Sequence, residues 1–162
     1  MVLGPMGVSY AGRRFPCSIG RSGCTNDKRE GDGGTPTGVH HIVGMMYRAD
    51  RMARPSGWAT PIGPRDLWCD APGHAAYNQL VKSPFSAPCE TMRRGDPLYD
   101  LVLITDWNYP IAKAGHGSAI FLHRWQNPGV PTRGCIAFRP DHLLWIARNL
   151  APGTRLIVPN HP

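Results

Sequence analysis

Short apolar runs alternate with stretches rich in glycine and proline, and this pattern predicts a mainly β protein. The clearest strand lies between Leu98 and Trp107, because the segment from Leu101 to Ile104 is an uninterrupted apolar run bounded by polar residues. Apolar segments of strand length recur along the rest of the chain, with turn-forming residues between them. These further strands are expected in residues 1–24, 39–47, 118–123, 134–138 and 154–158.

One segment near the C-terminus has helical spacing instead. Apolar residues recur along one face from Leu143 to Leu150, which predicts a helix with one side against the core. Asp141 is expected to cap or start this helix. Elsewhere the sequence predicts a loop in residues 28–38, an irregular segment in 48–72 and a short helical turn in 75–81.

Length and composition favour one compact domain over residues 1–162. Apolar residues make up 41% of the 162, which is enough for a packed core. The 19 glycines and 17 prolines argue for many turns and against a helical bundle. No apolar stretch is long enough for a membrane span. The N-terminal residues show no basic region followed by an apolar core, so no signal peptide is visible.

The net charge of +7 comes mostly from arginine. The basic residues are scattered and no nucleic-acid-binding module is present, so nucleic acid is not expected as a partner. A basic surface that serves only solubility is one interpretation. The other is recognition of carboxylates, because the guanidinium group binds them in bidentate geometry.

A histidine and a cysteine carry the strongest candidate chemistry. His123 closes one predicted strand, and Cys135 opens the next behind Gly134. A thiol is mostly protonated near neutral pH, so a neighbouring imidazole is a common means of activation. We therefore expect His123 to take the thiol proton and to lower the pKa of Cys135. His116, in the turn before the strand, is a rival base or a substrate contact.

The other cysteines and histidines give no sign of a metal or cofactor site. His40 and His41 are adjacent in a predicted strand, so their side chains point to opposite faces. Without Cys135, four cysteines remain, and they allow three disulfide pairings in an oxidising compartment or none if they stay reduced. These are Cys17, Cys24, Cys69 and Cys89.

Several motifs resemble the YkuD-type L,D-transpeptidases of bacterial cell walls. The pattern from His123 to Thr132-Arg-Gly-Cys135 is similar to the signature of that family, and so are the segments Lys28–Gly38 and Gly117–His123. The resemblance extends over residues 28–158. It departs from the family at Ala137, where many members carry Arg or Asn. Further features resemble a compact proteobacterial branch, namely Asp70, Tyr77-Asn78, Glu90 and Asp96-x-x-Tyr99-Asp100.

The resemblance implies a β-sandwich with one clear C-terminal helix and short helical turns. It also implies a monomeric enzyme of the periplasm or cell envelope that needs no cofactor and no metal. Its substrates would be peptidoglycan stem peptides. Cys135 would attack the carbonyl at the L-centre of diaminopimelate, and a second stem would supply the acceptor amine, from diaminopimelate or from L-alanine.

The resemblance also assigns roles to single residues. Cys135 is the expected nucleophile and His123 the base, oriented by a backbone carbonyl at Arg133. The N–H groups of Gly134 and Cys135 are the expected oxyanion hole. Substrate contacts are expected from Arg139, Tyr77, Asn78 and His116.

Two other classes of function stay open at this stage. A cysteine peptidase or amidase would share the thiol and the imidazole, but in the papain-like and NlpC/P60 families the cysteine precedes the histidine in the chain. A non-catalytic module would bind the wall and leave it unchanged.

Overall fold

A computed structural model describes residues 1–160, and within them the chain forms fifteen strands and one helix. The strands are β1 (Val2–Gly4), β2 (Gly7–Tyr10), β3 (Arg13–Phe15), β4 (Cys17–Ser18), β5 (Cys24–Thr25), β6 (Thr35–Pro36), β7 (Gly38–Tyr47), β8 (Thr60–Pro61), β9 (Asp66–Cys69), β10 (Leu80–Lys82), β11 (Cys89–Thr91), β12 (Leu101–Thr105), β13 (Phe121–Arg124), β14 (Ile136–Phe138) and β15 (Arg155–Val158). The helix is α1 (Pro140–Asn149).

The long strand β7 joins two halves of the main sheet. The sheet runs in the order β3-β2-β1-β15-β7-β12-β13-β14-β4, with β8 added beside β7. The first residues of β7, Gly38 to His41, pair with β15, whereas Ile42 to Tyr47 pair with β12. One strand therefore passes from one half to the other, and the mainly β, sandwich-like architecture is confirmed.

Strand β12 is apolar throughout because both of its faces are covered. Leu101 and Leu103 belong to a large core cluster shared with α1 and the N-terminal strands. Val102 and Ile104 belong to a second cluster on the opposite face, where Trp68 of β9 also packs. A strand buried on both sides has no polar face to alternate with. The small sheet β10-β9-β11 supplies the cover on this second side.

The predicted helix is present, but it starts differently. Its N-cap residue is Arg139, which makes no capping hydrogen bond through its side chain. Pro140 occupies the first turn, where its missing N–H costs nothing. Asp141 therefore lies inside the first turn, where a negative charge favours the helix dipole. Of the two predicted alternatives, it belongs to the start of the helix and does not cap it.

The segment between β7 and β12 contains strands that the sequence did not indicate. Strands β8 and β9 lie within residues 48–72, which were expected to be irregular. In residues 75–81 the chain makes hydrogen-bonded turns and then enters β10, so the predicted helical turn is wrong. These strands have two to four residues each, too few for a hydrophobic period to show.

Within residues 1–160 no helix is long and apolar enough to cross a membrane.

Candidate active site

A cleft of about 910 Å³ opens on the side of the main sheet that carries the small sheet. Cys135 and His123 both line it, together with part of the 28–38 loop. Its walls carry charges of both signs. The acidic and basic residues that line it are Arg21, Glu30, Asp70, Glu90, Arg94 and Arg133.

Parallel pairing of β13 and β14 brings the cysteine and the histidine to one face. His123 is opposite Ala137 in the register, and Cys135 lies two residues before Ala137. Because alternate residues of a strand share a face, Cys135, Ala137 and His123 all point toward the cleft. Strand spacings then place the Cα atoms of Cys135 and His123 roughly 8 Å apart. The small side chain of Ala137 leaves the space between them open.

The thiol of Cys135 is held by two backbone groups. Its Sγ lies 3.0 Å from the carbonyl oxygen of Ala119, to which it donates, and the N–H of Phe121 lies 3.4 Å from Sγ and donates to it. Burial raises the pKa of Cys135 to about 12. The resting group is therefore a thiol and not a thiolate, which corrects the expectation that its pKa is lowered.

The imidazole of His123 is fixed by its own strand. Nδ1 lies 2.6 Å from the carbonyl oxygen of Arg124. A carbonyl only accepts, so Nδ1 carries the proton and Nε2 keeps a lone pair. Burial lowers the pKa of His123 to about 4, so the ring is neutral near pH 7. Its ring also packs edge-on against Tyr99, with ring centroids 5.4 Å apart.

The carbonyl that orients His123 is therefore that of Arg124. The sequence analysis had predicted the carbonyl of Arg133, and this prediction is wrong. The parallel register explains the difference, because His123 is level with Ala137 while Arg133 lies two residues before the cysteine. The side chain of Arg133 is exposed and lines the cleft, where it is available to a ligand.

Gly134 shapes the backbone of the turn, and its N–H is engaged within the turn instead of being free for the predicted oxyanion hole. Its N–H donates to Thr132 Oγ1 at 3.0 Å, and its carbonyl accepts from Thr35 Oγ1 at 2.8 Å. Its φ is +135°, and a Cβ atom there would lie 2.8 Å from the carbonyl oxygen of Gly34. Only glycine fits this position without strain.

Replacing Gly134 by alanine should therefore destabilise the fold and the site together. An unfavourable φ alone costs about 1–3 kcal/mol, and the contact with Gly34 adds to it. Gly153→Ala is a matched control, because Gly153 also has a positive φ, of +78°, but faces open space. Thermal unfolding should show a clearly larger loss for Gly134→Ala. Equal losses would mean that close packing against Gly34 is unimportant.

Thr132 organises the turn that presents the cysteine. Its hydroxyl donates to the carbonyl of Cys135 at 2.6 Å while it accepts from the N–H of Gly134. Its backbone carbonyl also accepts from the N–H of Arg21 at 2.9 Å. The threonine of the motif therefore ties the nucleophile turn to the N-terminal part of the chain.

The 28–38 loop contacts the turn that presents Cys135 through a hydrogen bond from Thr35 to Gly134. Lys28 is buried and pairs with Asp32 at 2.5 Å, and Asp32 also accepts from the N–H groups of Arg29 and Gly34. This internal network sets the path of the loop toward Thr35, whose hydroxyl reaches the nucleophile turn. The positive charge of Lys28 is also close enough to favour the thiolate of Cys135, although burial outweighs it.

Tyr77 and Asn78 are buried, and their roles differ from the predicted substrate contacts. Tyr77 donates its hydroxyl to Glu30 at the rim of the cleft. Asn78 Oδ1 accepts from the ring N–H of Trp68 and from the backbone N–H of Ala119, at 2.8 and 2.9 Å. Since the Ala119 carbonyl accepts from the Cys135 thiol, Asn78 acts on the nucleophile through Ala119.

Two other predicted contacts lie away from the cleft. Arg139 is exposed at the start of α1 and makes a bidentate ion pair with Asp141. It follows Phe138, the last residue of β14, and is not among the residues that line the cleft. His116 is not among the residues that line the cleft, and its backbone carbonyl accepts from the ring N–H of Trp107 at 2.9 Å.

Asp70, Glu90 and Arg94 form a charged cluster beside Tyr99 that the sequence did not predict to have a chemical role. Glu90 accepts from the hydroxyl of Tyr99 at 2.9 Å, and Arg94 stacks over the Tyr99 ring. Burial raises the pKa of Glu90. Asp70 is nearby, and one of its carboxylate oxygens is buried without a hydrogen-bond partner among residues 1–160. The only signal in the sequence was their resemblance to the compact branch.

Among residues 1–160, no group of three or more His, Cys, Asp or Glu side chains is arranged to hold a metal ion.

The fold and the cleft together define a class of mainly β proteins that present one thiol and one imidazole on neighbouring parallel strands. Residues 9–158 match the family model of the YkuD family, the L,D-transpeptidase catalytic domain. The match covers nearly the whole chain, so the chain belongs to this family, and the resemblance seen in the sequence is confirmed. The family acts on peptidoglycan. No curated protein and no solved structure matches the chain.

Proposed function

We propose that this protein is a peptidoglycan L,D-transpeptidase that works by cysteine acyl transfer. The observation that carries the proposal is the placement of Cys135 and His123 on one face of β13 and β14, open to the same cleft. The tautomer of His123 supports it further. With its proton on Nδ1, the ring offers a basic Nε2 to a thiol or an amine.

The first half-reaction forms a thioester with the donor stem. The Cys135 thiol turns from the Ala119 carbonyl toward His123, and Nε2 takes its proton as Sγ bonds to the carbonyl carbon at the L-centre of diaminopimelate. The bond from that carbon to the nitrogen of the following residue then breaks. The leaving amine takes the proton from His123, so the ring is neutral again.

The second half-reaction makes the cross-link. An amine of a second stem attacks the thioester carbonyl, and Nε2 takes the proton that the amine loses. The bond between carbon and Sγ breaks, and the proton passes from His123 to the sulfur. Because thiol and imidazole both start neutral, deprotonation accompanies attack and no ion pair needs to exist at rest.

The charges of the cleft suit a zwitterionic substrate. Arg21 and Arg133 offer positive charge, and Glu30, Asp70 and Glu90 offer negative charge. Diaminopimelate carries both carboxylate and ammonium groups, so a cleft with both signs can orient it. The acceptor amine in this proposal is that of diaminopimelate or of L-alanine.

We propose one catalytic domain over residues 1–162, acting as a monomer in the periplasm or cell envelope on stem peptides, without cofactor or metal. Nucleic acid is not a proposed partner.

Incubation with purified muropeptides tests the function. Mass spectrometry should show covalent dimers and release of the residue that followed diaminopimelate. Cleaved monomers without dimers would instead indicate a cysteine peptidase or amidase. Unchanged muropeptides that nevertheless bind would indicate a wall-binding module. Fragmentation of the dimer identifies the acceptor amine.

Arg133 is expected to bind a carboxylate of the donor stem. Arg133→Gln should raise the apparent KM by roughly ten- to a hundredfold, because a charge-assisted hydrogen bond contributes about 1.5–3 kcal/mol. Arg139→Gln is the matched control, since Arg139 is also exposed but lies outside the cleft. Steady-state kinetics on a carboxylate-bearing donor measures both. A larger effect at Arg139 than at Arg133 would overturn the assignment.

A further inference from the structure

Two cysteines outside the nucleophile turn face each other across the small sheet. Cys69 of β9 and Cys89 of β11 are direct partners in an antiparallel pair. The N–H of Asp70 donates to the carbonyl of Pro88 at 3.3 Å, just beyond the two cysteines. On the other side, the N–H of Met92 donates to the carbonyl of Asp66 at 3.1 Å.

This bonding pattern fixes the geometry of the pair. The hydrogen bond from Asp70 to Pro88 joins the two residues next to the cysteines. Hydrogen-bonded and non-hydrogen-bonded pairs alternate along an antiparallel ladder, so Cys69 and Cys89 are a non-hydrogen-bonded pair. In such pairs the Cα atoms are about 4.5 Å apart and the side chains are on the same face. A disulfide spans Cα separations of roughly 4.4–6.8 Å. We propose that Cys69 and Cys89 form a disulfide that fastens β9 to β11.

The two sulfurs differ in solvent exposure, and this difference determines which of them reacts first with an oxidant. Cys69 is fully buried, whereas Cys89 is only half-buried. Cys89 would therefore meet the oxidant, a disulfide such as oxidised glutathione or the active site of a dithiol oxidase. Burial, and to a smaller extent the neighbouring Cys69, raises the pKa of Cys89 to about 11. Because the thiolate is the attacking species, thiol–disulfide exchange at Cys89 should be slow near neutral pH and faster at higher pH.

The exchange balances in two steps. Cys89 loses its proton and its sulfur bonds to one sulfur of the oxidant, whose other sulfur leaves as a thiolate. The Cys69 sulfur then loses its proton and bonds to Cys89, and the second oxidant sulfur leaves. The two released protons are taken up by the two thiolates. Two thiols of the protein are oxidised, and one disulfide of the oxidant is reduced to two thiols.

A disulfide between Cys69 and Cys89 would stabilise one wall of the cleft. Asp70 follows Cys69 and Glu90 follows Cys89, and both residues line the cleft. Strand β11 has three residues and is held by a few ladder bonds at the edge of a three-stranded sheet. A covalent link between β9 and β11 would keep Asp70 and Glu90 at a fixed separation. Cys135 would remain free, because its sulfur contacts Ala119 and Phe121 instead.

Peptide mapping tests the pairing. The full chain is incubated with oxidised glutathione, denatured, alkylated and digested without reduction. A peptide linked through Cys69 and Cys89 is expected in the wild type and in Cys17→Ser, and it should be absent in Cys89→Ser. Peptides that link Cys89 to Cys17, Cys24 or Cys135 would overturn the proposal, and so would five alkylated cysteines after prolonged oxidation.

Thermal unfolding tests the consequence. Closing a loop of this length stabilises a domain enough to raise Tm by on the order of 5–10 °C. The oxidised wild type should gain this shift over its reduced form. Cys89→Ser, chosen because its side chain is not fully buried, should show no dependence of Tm on oxidation. A linked peptide without any change of Tm would overturn the claim that the bond fastens the wall.

Discussion

Replacing Cys135 by alanine is expected to abolish cross-link formation while the protein stays folded. The substitution removes the only sulfur that lines the cleft among the described residues and deletes little volume. In a serine protease, whose nucleophile also works with a histidine, loss of the nucleophile lowers kcat by roughly a millionfold. Dimeric muropeptides should therefore fall below detection in a mass-spectrometric assay.

Cys24→Ala serves as the control for this variant. Cys24 is half-buried against the large core cluster and lies outside the cleft. It should keep activity close to that of the wild type. Circular dichroism and thermal unfolding establish that both variants are folded. Dimers formed by folded Cys135→Ala would exclude this residue as the nucleophile.

Removing the base should have the second largest effect and should change the pH dependence. His123→Gln is expected to slow acylation by about 10²–10⁴-fold, the usual contribution of a general base. The measured step is release of the terminal residue from a donor stem, which does not depend on the acceptor amine. Glutamine keeps a polar side chain of similar size but has no basic nitrogen.

The pH profile distinguishes a base from a merely structural histidine. The folded pKa of His123, about 4, is below that of Cys135, about 12, so the imidazole is neutral and the thiol protonated between them. The wild-type rate should therefore be nearly flat from pH 6 to 9. In His123→Gln the reaction needs preformed thiolate, so the rate should rise about tenfold per pH unit. Parallel profiles would remove His123 from this role.

The same pKa affects stability in acid. The unfolded chain binds a proton at the ordinary histidine pKa of about 6.5, whereas the folded chain does so only near 4. Protons thus favour the unfolded state as the pH falls from about 6.5 to 4, and stability is lost over this window. Acylation rates should be interpreted only where circular dichroism shows that the protein is folded.

The sequence by itself determined the strand-rich class, the C-terminal helix and the family. The long strand β7, the uninterrupted apolar run of β12 and the helical period of α1 are each visible within one stretch of sequence. The motif around His123 and Cys135 also identified two groups that open into one cleft. These features are local, so a linear pattern can contain them.

Tertiary structure decided what depends on register and burial. In the folded chain Nδ1 of His123 contacts the carbonyl of its neighbour Arg124, and the register of β13 and β14 places His123 level with Ala137 rather than with Arg133. Burial, which no linear pattern states, made thiol and imidazole neutral at rest. Short strands β9 and β11 brought Asp70 and Glu90 to the cleft and placed Cys69 opposite Cys89. Contacts between residues far apart in the chain leave no periodic trace, and only the folded backbone defines them.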